Sequence, residues 1–104
     1  ARELLTLDDY RHRYAQYRSD QDLKHLHAHM PVIAVWDDHE IANDAWVDGA
    51  ENHTEGTEGS FEARVSAALR AYHEWMPIRT PDPDNLKQIY RSFDFGDLLS
   101  LHML

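Results

Sequence analysis

The chain contains no cysteine. Disulfides and thiolate metal sites are therefore excluded, and any metal chemistry must use oxygen and nitrogen donors. The lack of cysteine does not fix the compartment. Basic residues are scarce as well: 10 Lys plus Arg stand against 19 Asp plus Glu, a formal charge of -9. With that balance there is no basic patch to release counterions from a phosphate backbone, so nucleic acid is excluded as a structural partner. The same balance suits cations. No apolar run approaches the ~20 residues of a membrane span, and the first residues do not read as a signal peptide. Glycine and proline number four each, and there is no internal repeat or low-complexity tract.

What is present suffices for one small domain: 104 residues, 42% hydrophobic and 11% aromatic. A domain of this size buries only about two-thirds of its unfolded surface, so its stability is modest. The chain opens on Ala1 and closes on an apolar run, Leu98 to Leu104. Such a run is an aggregation hazard when exposed, and open strand edges allow pairing between copies as a homo-oligomer. The expectation is that residues 1–104 form an internal part of a larger catalytic domain. The alternative is a natural small domain whose last strand pairs internally.

Thr6-Leu7-Asp8-Asp9 has the form of a capping box, starting a helix. Leu7, Tyr10, Tyr14 and Tyr17 then share one helical face, opposite Arg11, Arg13 and Arg18. Ser19 to Asp22 restarts a second helix with Leu23, Leu26 and Met30 inward, and Pro31 ends it. Pro31 to Trp36 is apolar throughout, the pattern of a strand buried on both faces of an α/β sheet. Asp37 to Asn43 is then the loop at the strand's carboxyl end, where ligands gather in open α/β sheets. Residues 47 to 59 read as a mobile or ligand-supported loop. Ser60 caps a helix in which Phe61, Val65, Ala68, Leu69, Tyr72, Trp75 and Met76 form one stripe, and Pro77 stops it. Thr80 to Asp84 is a turn-rich connector. Ile89 to Phe95 and Leu98 to Met103 are strand candidates joined at Gly96-Asp97 as a hairpin. The fold class is α/β: helices, one buried strand, one long helix and a C-terminal β-hairpin.

From Asp37 to Glu58 there are eight acids and no Lys or Arg. A solvated acidic loop is the ordinary reading of such a run. Position argues for more: Asp37 and Asp38 directly follow six apolar residues, and a carboxylate at a buried strand end is partly desolvated and requires a partner. Hard cations such as calcium, magnesium, manganese or ferric iron suit oxygen ligands. His39 beside them can hydrogen-bond a phosphate oxygen or protonate a leaving alkoxide. It reads equally as a histidine bonded to a carboxylate for stability alone. His25, His27 and His29 alternate and so fall on different helical faces, which disfavours a three-ligand site. His12, His73 and His102 stand alone. The tyrosines of the first helix read as packing residues. Trp36, Trp46 and Trp75 read as core, with Trp46 also placed to line a pocket.

Four segments in order carry a family resemblance: Thr6 to Tyr14 (TLDDYRHRY), Trp36 to Asp44 (WDDHEIAND), Gly49 to His53 (GAENH) and Ala71 to Pro77 (AYHEWMP). Together they resemble the alkaline phosphatase D (PhoD-like) family, across nearly the whole chain. The resemblance implies a segment of a metallophosphoesterase fold, a β-sandwich flanked by helices, in a secreted or periplasmic protein. It implies hydrolysis of phosphate mono- or diesters by metal-activated water, with calcium and iron as the metals. In the general metallophosphoesterase pattern a strand is followed by Gly-Asn-His-Asp/Glu, whose Asn ligates metal and whose His assists the leaving group. Asp37-Asp38-His39-Glu40 occupies that place. Asp38 therefore matches the metal-ligand position and His39 the phosphate-contacting, catalytic one, while Asp37 and Asn43 are carried as supporting metal-site residues. Asp in place of Asn is the departure, and it adds charge suited to calcium. Asn52 and His53 match a motif without an assigned role. Other metal motifs of the family do not occur in these 104 residues, so the isolated segment is expected to bind metal weakly and to be inactive. The rival readings are a small acidic calcium-binding or interaction module, and a structural segment whose acidic loop is merely solvated.

Overall fold

The computed structural model describes residues 2–104. Helix α1 spans Leu7–Arg18 and starts at Thr6, whose hydroxyl accepts from the Asp9 amide at 3.2 Å while the Asp9 carboxylate accepts from the Thr6 amide at 2.9 Å. That reciprocal pair is the capping box read in the sequence. The two Thr6 hydrogen bonds, aided by Leu5 and Arg2, hold the Asp9 carboxyl down at about 2 against burial. Helix α2 spans Gln21–His29 under an Asp20 cap. Helix α3 spans Phe61–Trp75, capped by Ser60, and ends before Pro77. It is the longest element, and its apolar stripe receives α1 and the segment around Ile41 to Ala50.

Packing between α1 and α3 makes the first core cluster, Tyr10 with Ala68 and Ala71. The alanines let the helix backbones approach. A second cluster joins Ala42, Ala50 and Phe61. Ile41 packs against both, so the loop after Trp36 is wedged between the two halves of the core. Arg11 closes the helix pair with a two-pronged bond to Glu74: Nε donates to Oε2 and Nη2 to Oε1, each at 2.7 Å. Arg11 therefore turns towards α3 and does not stand on a face opposite the packing side.

Two small antiparallel sheets complete the architecture. Strands β1 (Ala45–Trp46) and β2 (Gly49–Ala50) make a tight hairpin where a loop was expected. The Trp46 ring lies over Gly49, where a Cβ would come within 2.8 Å of it, so a larger residue there would displace the exposed indole. Strands β3 (Arg91–Phe95) and β4 (Leu99–Met103) form the expected C-terminal hairpin, turning at Gly96 with φ of 61°. The fold is thus a mixed helix-and-strand arrangement, as an α/β reading requires.

The buried strand expected at Pro31 to Trp36 is not formed. The segment has no regular secondary structure and joins neither sheet, and Pro31 and Ile33 are exposed. A strand is stabilised by its ladder, and here no described strand pairs with the segment; the Ala34 carbonyl is met instead by the Arg91 guanidinium at 2.9 Å. Leu26 and Met30, expected inward on α2, are exposed, as are Tyr17 and Trp46. No described element covers that side of α2. Trp36 does pack: its ring meets Tyr72 and His73 of α3 edge-on, with centroids 5.6 and 5.8 Å apart. That contact anchors the chain immediately before Asp37.

Candidate metal and phosphate site

Residues 37 to 44 form a tight turn built by its own side chains. The Asp37 carboxylate accepts from the His39 amide at 2.9 Å, and Glu40 reaches back to the Asp37 amide at 2.7 Å. The Asp38 carbonyl accepts from both the Ile41 and Ala42 amides, at 2.8 and 2.9 Å. Asp44 ends the turn in the left-handed region, φ 49°, which short polar side chains tolerate better than others. Its amide donates to Asp38 Oδ2 at 2.6 Å. Asp and Asn are the residues that bond their own backbone in this way, so the acidic run is a local structural device as well as a charge.

The turn brings Asp37, Asp38 and His39 together, with one donor atom from each inside a cluster spanning 4.8 Å. The Asp38 side chain is only 28% exposed, whereas Asp37 is 74% exposed. Partial desolvation therefore applies to Asp38 alone. Burial pushes the Asp38 carboxyl up, but hydrogen bonds from backbone amides, Asp44 first, and the neighbouring His39 outweigh it and hold the group below its ordinary range. The hydrogen bond to Asn43 and the Asp38 charge push the His39 imidazole up.

Asn43 does not turn its oxygen towards the carboxylates. Its amide nitrogen donates to the Glu51 carboxylate and, at 3.4 Å, to Asp44. Carboxylates only accept, so the Asn43 oxygen is the atom that faces His39 Nε2, at 2.9 Å. His39 Nε2 must then carry the hydrogen. The other ring nitrogen, Nδ1, faces Asp38 Oδ1 at 3.3 Å and Asp37 Oδ1 at 3.6 Å. A neutral imidazole would aim a lone pair at two carboxylates, so this arrangement requires a proton or a cation between them. Two carboxylates and an imidazole are the donors of a hard or borderline metal, and the residues present fit one.

An open groove of about 910 Å³ lies on one side of the turn, lined by Asp37, Asp38, Trp36, Trp46, Phe61 and Lys87 among others. The exposed Trp46 thus lines a pocket instead of a core. A hollow of about 540 Å³ lies on the other side, where His39 and Asn43 meet Tyr10, Arg13 and Tyr14.

The remaining motif residues lie in a buried polar network around Arg64. His53, with 1% of its side chain exposed, packs on Phe61. Arg64, 2% exposed on α3, donates through Nη1 to the Asn52 carbonyl at 2.9 Å and to His53 Nδ1 at 3.4 Å. Its Nη2 donates to Glu3 at 3.2 Å and its Nε to the Tyr10 hydroxyl at 3.2 Å. The sequence reading passed over Arg64, although a signal was there: it falls between Phe61 and Ala68 on the apolar stripe, where a charge needs a buried partner. His73 is held by Thr80 and the Leu86 carbonyl, and His102 by Ser92.

The comparisons with known proteins agree on kinship. A family model described as PhoD-like phosphatase matches residues 1–104. The chain is 42% identical over 104 residues to alkaline phosphatase D of Bacillus subtilis (strain 168), covering 98% of this chain and 18% of that protein. A solved structure of PhoD superposes with a TM-score of 0.79 and 42% identity, covering 98% of this chain and 20% of that one. The chain therefore spans about a fifth of the relatives it matches. A family match over residues 1–104, with 42% identity and a common fold over 98% of the chain, means that the chain belongs to the PhoD-like phosphatase family.

Proposed function

We propose that this chain supplies one wall of a metal-dependent phosphoric ester hydrolase, with phosphate mono- or diesters as substrates and the rest of the site carried by other parts of a longer, secreted or periplasmic protein. The observation that carries the reading is the convergence of His39 Nδ1 with Asp37 and Asp38 while Nε2 is fixed by Asn43. When bound, a metal of the calcium or ferric type supplies a Lewis acid for the phosphoryl group and lowers the pKa of water. Asp38 holds that metal, because its carboxylate is half-shielded and already oriented by the Asp44 amide. Asp37, more exposed, contributes charge and shapes the turn. Asn43 orients His39 and does not ligate. His39, protonated between acids, neutralises charge on the phosphate and delivers a proton to the leaving alkoxide.

The competing reading, an acidic calcium-binding module without catalysis, shares the carboxylates and leaves His39 bonded to them for stability alone. Titration calorimetry with calcium beside a chromogenic phosphodiester assay, both on the full-length protein, separates the two. Asp38→Ala is expected to lose metal and turnover together. Loss of calcium binding with no hydrolysis detectable even in the wild type would favour the binding module.

A further inference from the structure

We infer that Tyr10 is a positioning residue for the Asp38–His39 turn, and that Arg64 sets the direction of its hydroxyl; the inference rests on the catalytic reading of His39. Tyr10 lies on α1, far from the turn in sequence and 3% exposed. Its hydroxyl donates to the Ile41 carbonyl at 2.6 Å. The direction of that bond is fixed by chemistry. Arg64 Nε–H, which can only donate, points at the same phenolic oxygen from 3.2 Å, so the phenolic hydrogen is free to go to Ile41 and nowhere else nearby.

Ile41 is the right place to hold. Its amide donates to the Asp38 carbonyl at 2.8 Å, so its peptide closes the turn that begins with Asp38. Two residues on, Asn43 fixes His39 Nε2. The Ile41 side chain meets both core clusters. The Tyr10 bond therefore ties a self-made surface turn to the rigid α1–α3 pair, and Arg64 in turn ties Tyr10 to Asn52, His53 and Glu3. Displacements of about 1 Å in such a support cost on the order of 100-fold in rate where geometry limits the reaction.

A double-mutant cycle on the full-length, metal-loaded enzyme tests this. Tyr10→Phe keeps the ring and its packing and removes only the hydroxyl. It is expected to lower kcat by roughly 10-fold or more, with KM changed by less than about twofold, because binding groups stay while geometry loosens. In a His39→Ala background the same change is expected to have no further effect on kcat. Arg11→Ala is the control: it loosens the same helix pair through Glu74 without touching Tyr10, and is expected to lower Tm while leaving kcat near wild type. Should Tyr10→Phe fail to fold, Arg64→Lys removes the Nε donor and is read in the same cycle. If Tyr10→Phe matches wild type while His39→Ala is crippled, or if the two losses are additive, the positioning inference is wrong and the catalytic reading stands. If His39→Ala itself is active, both fall.

Discussion

At the scale of single residues, the candidate site divides into parts that the sequence shows and parts that it hides. Asp37, Asp38 and His39 are adjacent, and their turn is closed by neighbours within seven positions, so their convergence follows from local backbone chemistry. Asn43 is nearby too, but which way its amide turns is decided by Glu51, eight residues on. Tyr10 and Arg64 reach the turn and each other across 31 and 54 residues. Only the packing of α1 on α3 brings them there, and spacing rules for a single helix carry no such information. Tyr10 reads as a packing residue because it is one; its hydroxyl does the additional work. Arg64 also allows a test of the buried hub. Arg64→Met preserves length and removes the donors, leaving the Asn52 carbonyl and Tyr10 oxygen short of partners. It is expected to destabilise by about 3 kcal/mol, seen as a lower urea midpoint. Glu3→Gln, whose side chain is 44% exposed, is expected to cost less than about 1 kcal/mol. Equal effects of the two would show that Arg64 is held chiefly by its charge pair.

At the scale of elements, the helices were legible and the apolar strand was not. The Thr6–Asp9 box, the Ser60 cap and the stripe along α3 are all local signals, and each is satisfied within one turn of its own helix. The hairpin at Gly96 is local as well. Pro31 to Trp36 has a strand's composition, but a strand's hydrogen bonds belong to its neighbours, and none of the described strands pairs with it. The helix pair has its own test in pH. The Arg11 guanidinium, helped by Arg70, holds the Glu74 carboxyl down at about 2, against an ordinary value of 4.5. Because the folded value is depressed, the bridge contributes fully above the ordinary value and is lost as pH falls towards 2. Both partners are about one-third exposed, so solvent screening keeps the contribution small. Thermal unfolding from pH 6 down to pH 2 is expected to show a gap between wild type and Glu74→Gln that is largest at the top and closes with acid. A gap constant with pH would mean that the bridge is idle.

At the scale of the whole molecule, the described chain is extended, 51 by 32 by 23 Å, with a radius of gyration of 15.4 Å. A compact domain of this length would have a radius nearer 13 Å. Of nine buried apolar residues four are alanine, while Leu98, Leu99, Phe95, Val47 and Trp46 are exposed. The core is thin and its apolar edges are open, and the relatives matched by the chain are about five times longer. The turn gathers Asp37, Asp38 and His39, whereas a site that activates water for attack on phosphorus draws its ligands from several elements. The central claim, that Asp38 holds metal while His39 serves the chemistry, is tested most directly by metal content and phosphodiester turnover of the full-length His39→Ala protein, measured on the same sample. The account predicts turnover lowered by roughly 100-fold or more with metal content close to wild type. Turnover within a few-fold of wild type, or metal lost in step with activity, would contradict it.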